Sequence, residues 1–229
     1  MPETISFQRP DGKSCSGYYG EPNGDKTAPG VVLIQEWWGL NDQIKGMADD
    51  LIQAGYRVLV PDLYRGEVTL EQAEAQHKMD ELDFEDATYQ DIRGAAQYLQ
   101  TNSPKRVAVM GFCMGGVLAM LSAIHVSEVQ AAVSWYGVPP EGGGDPSTIS
   151  IPIQGHFGTA DSFFPPEQVD ALEEKLKQGG ADYDFYRYEG AEHAFGNETG
   201  DSYDAQAKKE AWERSLNFLS QHIRPANAA

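Results

Sequence analysis

Short apolar runs alternate with amphipathic segments along most of this chain. The runs fall at residues 31–34, 57–60, 107–110, 131–134 and 151–153. Between them apolar side chains recur every three or four residues, as at Ile44, Met47 and Leu51, the spacing of one helix face. Strands that are apolar throughout are buried on both faces, and parallel strands need crossover connections that place helices on those faces. The alternation therefore predicts an α/β protein with a mostly parallel central sheet and helices on both faces.

The two ends of the chain add antiparallel strands and a closing helix to this pattern. Residues 5–19 form two strand-like stretches separated by Pro10, Asp11 and Gly12, which predicts an antiparallel N-terminal hairpin. The acidic stretch 70–86 has helical character, and the chain closes with a strand at residues 183–188, a helix and a frayed tail from Arg224. With 229 residues, no linker and no internal repeat, we expect a single domain spanning residues 1–229.

Charge and hydropathy exclude several classes of partner. The 17 Lys and Arg residues against 35 Asp and Glu residues give a net charge of -18, which repels nucleic acid and anionic lipid. No apolar run approaches the length of a membrane helix, and the segment after Met1 lacks the basic and apolar regions of a signal peptide. We therefore expect a cytoplasmic protein with no nucleic-acid or membrane partner.

The most informative motif is a strand that enters a helix through Gly111-Phe112-Cys113-Met114-Gly115-Gly116. Small residues two positions before and two after the central residue are typical of the nucleophile elbow, a turn so tight that larger side chains clash. Here the central residue is Cys113 in place of serine. The helix N-terminus favours a thiolate, and the backbone N–H of Met114 can face a developing oxyanion.

An elbow nucleophile needs an acid and a histidine later in the chain, in that order. Asp161 follows the strand predicted near residue 153, and His193 follows the strand that ends near residue 188. The carboxyl ends of parallel strands share one edge of the sheet, so Cys113, Asp161 and His193 can converge. Taken singly, each has an ordinary structural explanation, but the three together indicate nucleophilic catalysis.

Two other classes of function remain open at this point. Cys113 could be a redox-sensing thiol on a scaffold without catalysis, or the chain could be a non-catalytic α/β binding module. Asp161 and His193 argue against a sensor, because a sensing thiol needs no orienting acid. The other histidines lack metal-ligand spacing, and no phosphate-binding glycine loop is present, so we expect neither a metal nor a cofactor.

The chain resembles the dienelactone hydrolase family of the α/β-hydrolase fold over essentially its whole length. The resemblance is carried by residues 34–41, 60–64, 111–116 and 135–137 and by the segments around Asp161 and His193. It implies a hydrolase of esters or lactones that forms an acyl-enzyme on Cys113, with His193 as base and Asp161 as orienting acid. It also implies an oxyanion hole made by the backbone N–H groups of Trp37 and Met114.

Glu36 ends an apolar strand, where a lone carboxylate is unusual unless it is a solvated residue at the loop edge. The resemblance implies that Glu36 contacts the thiol of Cys113 in the resting enzyme and moves when substrate arrives. A negative neighbour disfavours a second negative charge, so we expect Glu36 to restrain ionisation of Cys113.

The chain departs from better-known family members at the substrate end. Relatives acting on dienelactone hold its carboxylate with two arginines; one of these positions is Asn197 here, and residues 70–86 contain no arginine. We therefore expect neutral esters or lactones as substrates, with neutral phosphotriesters as side substrates. Candidate pocket residues, besides Asn197, are Trp38, Phe195, His77 and Arg65; the oligomeric state is left open between monomer and homodimer.

Overall fold

The computed structural model describes residues 1–101 and 106–224, and within these ranges it contains eight strands and seven α-helices. The strands are β1 (Glu3–Gln8), β2 (Ser14–Gly20), β3 (Gly30–Ile34), β4 (Arg57–Pro61), β5 (Val107–Phe112), β6 (Ala131–Trp135), β7 (Ile153–Gly158) and β8 (Tyr183–Tyr188). The helices are α1 (Asp42–Gln53), α2 (Gln72–Glu81), α3 (Phe84–Asp86), α4 (Arg93–Gln100), α5 (Met114–His125), α6 (Pro166–Gly179) and α7 (Ala205–Ile223).

All eight strands belong to one sheet in the order β1-β2-β4-β3-β5-β6-β7-β8. β1 pairs with β2 and β2 with β4 in antiparallel register, and the remaining neighbours are parallel. The mostly parallel sheet with antiparallel N-terminal strands, predicted from the alternation of apolar runs, is thus confirmed. Its parallel strands end at one edge, where the loops after β3, β5, β6, β7 and β8 meet.

Helices cover both faces of the sheet. On one face α1 and α7 pack in a core that includes Leu51 and Leu219, and on the other α4, α5 and α6 pack in a core that includes Leu99, Leu118 and Leu172. Side chains of a strand alternate between the two faces, so a strand that serves both cores must be apolar throughout. This explains the continuous apolar runs of β3 and β5.

Local signals set several element boundaries. The side chain of Asn41 accepts a hydrogen bond of 3.1 Å from the backbone N–H of Ile44 and so caps the N-terminus of α1. The acidic stretch 70–86 is helical as predicted, but it is divided into α2 and α3. A π-helical segment, Ala87–Ile92, then leads into α4.

The strand predicted at residues 151–153 is wrong in its position. β7 begins at Ile153 and continues to Gly158, because Pro152 has no backbone N–H for a ladder hydrogen bond. The strand ends at Gly158, three residues before Asp161, at the edge of the sheet where the loops meet. Of the tail predicted to fray, residues 225–229 lie outside the described residues.

Candidate active site

Cys113 occupies the strained turn between β5 and α5. Its backbone angles are φ 55° and ψ −117°, in the positive-φ region that side-chain-bearing residues rarely adopt. The flanking glycines are required by close approach: a Cβ on Gly111 would lie 2.0 Å from the carbonyl oxygen of Gly115, and one on Gly115 would lie 2.4 Å from that of Ile34. The turn therefore has the geometry that the sequence motif predicts.

Cys113, His193 and Asp161 lie in one hydrogen-bonded row. His193 Nε2 is 3.0 Å from the Sγ of Cys113, and His193 Nδ1 is 2.8 Å from Oδ2 of Asp161. The other carboxylate oxygen of Asp161 accepts the backbone N–H groups of Phe163 and Phe164 at 2.8 and 2.9 Å. A carboxylate only accepts hydrogen bonds, so Nδ1 carries the proton and the lone pair of Nε2 faces the thiol. The imidazole is thus arranged to take the thiol proton.

Glu36 follows β3 and is almost completely buried, with 3% of its surface exposed. The hydroxyl of Tyr136 donates to Oε1 at 3.3 Å, and the side-chain Nδ2 of Asn197 donates to Oε2 at 2.6 Å. The resemblance implied a contact with the thiol of Cys113. Among the described residues, the hydrogen-bond partners of the carboxylate are instead Tyr136 and Asn197.

Burial and charge oppose ionisation of the thiol. Burial raises the pKa of Cys113 far above its usual value, and the negative charges of Glu36 and Asp161 raise it further, while the backbone amide of Met114 acts in the opposite direction. Burial also raises the pKa of Glu36, which Asn197, the charge of His193 and Tyr136 partly offset. These influences therefore favour the neutral thiol of Cys113 over the thiolate.

A cavity of about 1200 Å³ contains this row of residues. Apolar side chains form much of its lining, including Trp37, Trp38, Met79, Phe84, Val138 and Phe164. Its ionisable lining residues, besides the thiol and His193, are Glu36, Glu141, Glu192, Asp201 and Lys175. Among the described residues that line it, carboxylates thus outnumber lysine and arginine side chains four to one.

The candidate pocket residues divide into two groups. Trp38 and Asn197 line the cavity together with Trp37 and Met114. Phe195 is instead fully buried in the core, with ring centroids 5.2 Å from Tyr136 and 5.0 Å from Tyr188.

His77 and Arg65 also lie outside the cavity lining. His77 is exposed on α2 and lies 3.3 Å from Glu81, one helical turn away. Arg65 binds the buried carboxylate of Asp91 at 2.7 Å and donates to the Cys15 Sγ at 3.1 Å. Both side chains therefore bind other residues of the protein and do not line the cavity.

Two further aromatic rings flank the imidazole of His193, and sequence reasoning missed the site role of one of them, Tyr136. Tyr136, with φ 42°, follows β6 and reaches Glu36 with its hydroxyl, and its ring centroid is 5.3 Å from that of His193. The ring of Phe163, 59% exposed, lies 4.7 Å from that of His193. The position of Tyr136 directly after a buried strand was a usable signal, because that strand ends at the same edge as β5.

Neither a metal site nor a membrane helix is found in the described ranges. Residues 1–101 and 106–224 contain no group of three or more His, Cys, Asp or Glu side chains placed to hold a metal ion. None of the helices within those ranges combines the length and hydrophobicity that a bilayer crossing requires.

A strained cysteine turn after β5 of a mostly parallel sheet, with an aspartate after β7 and a histidine after β8, is the architecture of an α/β-hydrolase. The model of the dienelactone hydrolase family matches residues 15–223. The protein usf of Aquifex pyrophilus is 30% identical, covering 97% of this chain and all of that protein. A protein of Aquifex aeolicus named "Putative carboxymethylenebutenolidase" is also 30% identical, covering 98% of this chain and all of its own length.

Among solved structures, a dienelactone hydrolase-like promiscuous phosphotriesterase from metagenomic libraries superposes with a TM-score of 0.81 at 23% identity. The match covers 97% of this chain and 99% of that one, and it supports the fold. This chain belongs to the dienelactone hydrolase family. It is an enzyme of the class that hydrolyses esters and lactones.

Proposed function

We propose that this enzyme hydrolyses neutral esters or lactones through a covalent acyl-enzyme on Cys113. The observation that carries the proposal is the continuous row from the Cys113 sulfur through both nitrogens of His193 to the Asp161 carboxylate, with contacts of 3.0 and 2.8 Å. Each contact supplies one step that nucleophilic catalysis needs: a proton acceptor for the thiol and an orienting anion for the imidazole.

In the acylation step the Cys113 sulfur attacks the carbonyl carbon of the substrate while His193 Nε2 takes the thiol proton. The carbonyl oxygen becomes an oxyanion, and we assign its stabilisation to the backbone N–H groups of Trp37 and Met114, which line the cavity beside the sulfur. Collapse of this intermediate breaks the bond to the leaving alcohol, which receives the proton from His193. The product is a thioester on Cys113.

Hydrolysis of the thioester uses the same groups in reverse roles. His193 takes a proton from water, the resulting hydroxide attacks the acyl carbon, and the carbon–sulfur bond breaks. The acid leaves and the sulfur recovers its proton. Asp161 keeps the same hydrogen bond to Nδ1 throughout, so it orients the ring and stabilises the imidazolium in both halves of the reaction.

The charge of the cavity favours neutral substrates. A substrate carboxylate would meet the carboxylates of Glu141, Glu192 and Asp201, while the lysine of the lining, Lys175, is on the exposed side of α6. Asn197, at the position where the resemblance implies an arginine, binds Glu36. An anion therefore loses hydration without gaining a paired cation.

A matched pair of activated esters tests substrate charge. We expect kcat/KM for 4-nitrophenyl valerate to exceed that for mono-4-nitrophenyl glutarate, whose acyl chain has the same length and ends in a carboxylate. A preference for the glutarate ester at moderate salt would contradict the proposed neutral specificity while leaving the nucleophile assignment intact.

The nucleophile itself is tested by Cys113→Ala. We expect this variant to lose 4-nitrophenyl ester hydrolysis by several orders of magnitude while keeping the wild-type circular dichroism spectrum, and His193→Ala to behave similarly. Cys15→Ala is the matched control, because it removes the second thiol, which is buried away from the cavity lining. Near wild-type hydrolysis in Cys113→Ala would overturn the proposal.

A second candidate activity is attack on neutral phosphotriesters. It is favoured by the same thiol beside His193 in a mostly apolar cavity of about 1200 Å³, and the structural neighbour described above is named for such an activity. The Cys113 sulfur would form a bond to phosphorus as the bond to the aryl oxygen breaks. Paraoxon should then release 4-nitrophenol and leave a diethylphosphoryl group on Cys113. Equal release by wild type and Cys113→Ala would contradict it.

A further inference from the structure

Asn197 lies four residues after His193, and its side chain is oriented by contacts at both ends. Only 3% of the residue is exposed. Its Oδ1 accepts the backbone N–H of Thr199 at 3.0 Å and the hydroxyl of Thr199 at 2.7 Å. The amide oxygen therefore faces two donors, which leaves the NH2 group to face Glu36 at 2.6 Å. If the amide were rotated by about 180°, its NH2 group would face the N–H of Thr199, and its oxygen would face the carboxylate of Glu36.

We propose that Asn197 is a positioning residue that holds the Glu36 carboxylate beside Cys113 and His193. Held there, the carboxylate opposes thiolate formation before substrate binds and favours the imidazolium that forms during attack. The proposal rests on the proposed function, since it concerns the same thiol and imidazole. It gives Asn197 a role directed at Glu36 rather than at the substrate.

The titratable groups around this carboxylate explain why its position matters. Cys113, His193 and Tyr136 surround Glu36, and Asp161 and Tyr64 act on the thiol from other elements. A carboxylate near both members of the thiol–imidazole pair disfavours negative charge on sulfur and favours positive charge on the ring. During attack the negative charge moves from sulfur to the substrate oxygen while the ring stays positive. The fixed charge of Glu36 thus disfavours a thiolate before substrate binds and favours the transition state, in which the negative charge has left the sulfur.

Asn197 also makes this arrangement independent of a charged partner. Its amide is neutral, so the carboxylate is fixed by a hydrogen bond rather than by an ion pair that an anionic substrate could displace. Tyr136 supplies the second donor, at 3.3 Å, and its hydroxyl is fully buried. The position of Glu36 therefore rests on two neutral donors, Asn197 and Tyr136.

Two measurements on Asn197→Ala test the proposal, with Asn217→Ala, an exposed asparagine of α7, as control. One is the pH profile of iodoacetamide alkylation, followed on the peptide that contains Cys113; the other is kcat for 4-nitrophenyl acetate. Without its donor, Glu36 binds a proton more readily and its charge no longer opposes the thiolate. We expect alkylation to begin at lower pH while kcat falls about 10- to 100-fold, the size of one charge-assisted hydrogen bond.

The opposite signs separate positioning from general damage. A merely structural role would slow alkylation and turnover together, and that result would overturn the proposal. If Asn197 acts through Glu36, Asn197→Ala should have no further effect on kcat in the Glu36→Gln background. Multiplicative effects in the double variant would also overturn it.

Asn197→Asp keeps the test decisive if the alanine variant folds poorly. At low pH the introduced carboxyl group holds a proton and can donate to Glu36 as the amide does, but at higher pH two carboxylates repel each other. We expect kcat relative to wild type to rise as pH falls, and a pH-independent ratio would contradict the proposal. Acylation of Cys113 in the wild type, measured by mass, is a separate readout, so a failure of the hydrolase assignment is distinguishable.

Discussion

Replacing Asp161 with asparagine should move the ring proton of His193 from Nδ1 to Nε2. In the wild type, Asp161 Oδ1 accepts two backbone N–H groups, from Phe163 and Phe164, and Oδ2 faces His193 Nδ1. An asparagine must leave its oxygen with the two backbone donors, because its NH2 group would clash with them. The NH2 group then faces Nδ1 at about the position of Oδ2. Nδ1 must therefore become an acceptor, and the ring proton moves to Nε2, where it faces the Cys113 sulfur.

The size of this effect follows from the two hydrogen bonds affected. The tautomer that can take the thiol proton carries its hydrogen on Nδ1, and in the variant it loses a charge-assisted hydrogen bond worth about 1.5 to 3 kcal/mol. Its Nδ1–H would also face the introduced NH2 group, and two buried donors without acceptors cost about a further 1 to 3 kcal/mol. Together these give about 2.5 to 6 kcal/mol, which is a loss of about 70- to 25,000-fold in kcat/KM. Because the cysteine and histidine remain, the loss should be smaller than in Cys113→Ala or His193→Ala.

The assay is steady-state hydrolysis of a neutral 4-nitrophenyl ester by Asp161→Asn, with Asp204→Asn as the matched control. Asp204 also accepts two backbone N–H groups, from Gln206 and Ala207, where it caps α7, but it has no histidine partner. Asparagine caps helices as well as aspartate does, so the control should keep wild-type activity. A loss below about tenfold in Asp161→Asn would refute the tautomer argument.

Three further predictions concern ionisation and stability. Glu36→Gln removes a negative charge that raises the pKa of the Cys113 thiol, so iodoacetamide alkylation should begin at lower pH; an unchanged profile would contradict this. Gly115→Ala should destabilise the fold by more than about 2 kcal/mol in thermal melts because its Cβ meets a β3 carbonyl at 2.4 Å. Gly46→Ala, in open space on α1, should instead be neutral or stabilising, and equal losses in the two variants would refute the packing argument. Burial lowers the pKa of His156 to about 3. Below pH 6.5 the unfolded chain therefore binds more protons than the folded chain, so the free energy of unfolding should fall as pH decreases from 6.5 toward 3. A free energy of unfolding that does not change with pH in that range would contradict this prediction.

The fold could be predicted well from the sequence because its main constraint is visible in the chain. Strands such as β3 and β5 serve two cores and are apolar throughout, so periodicity alone separates them from the helices. The error at β7 has a local cause: the apolar residues 151–153 attract a strand assignment, but Pro152 delays its start. Beyond Ile153 the strand reads Gln154, Gly155 and His156, whose burial depends on tertiary packing that the pattern does not reveal.

The part of the site that requires a special backbone conformation, the turn at Cys113, could be predicted from the sequence. The side-chain contacts of Glu36 and Arg65 could not. Glycine is required at positions 111 and 115 because a Cβ there would lie 2.0 and 2.4 Å from backbone carbonyl oxygens. A requirement of this kind appears in the sequence as a motif. Tyr136 belongs to the motif at residues 135–137, but its shared contact with Glu36 could not be predicted, because Tyr136 and Asn197 are 61 residues apart in the sequence. Arg65 illustrates the converse: its charge suggested a substrate contact, but the buried Asp91 binds it.

The most direct test of the account is rapid-quench peptide mass spectrometry during hydrolysis of an activated neutral ester. The account predicts an acyl group on the peptide that contains Cys113, formed in the first turnover along with a burst of 4-nitrophenol, and lost as the acid is released. The peptide that contains Cys15 should stay unmodified. An acyl group on any other residue, or undiminished turnover in Cys113→Ala, would contradict the account.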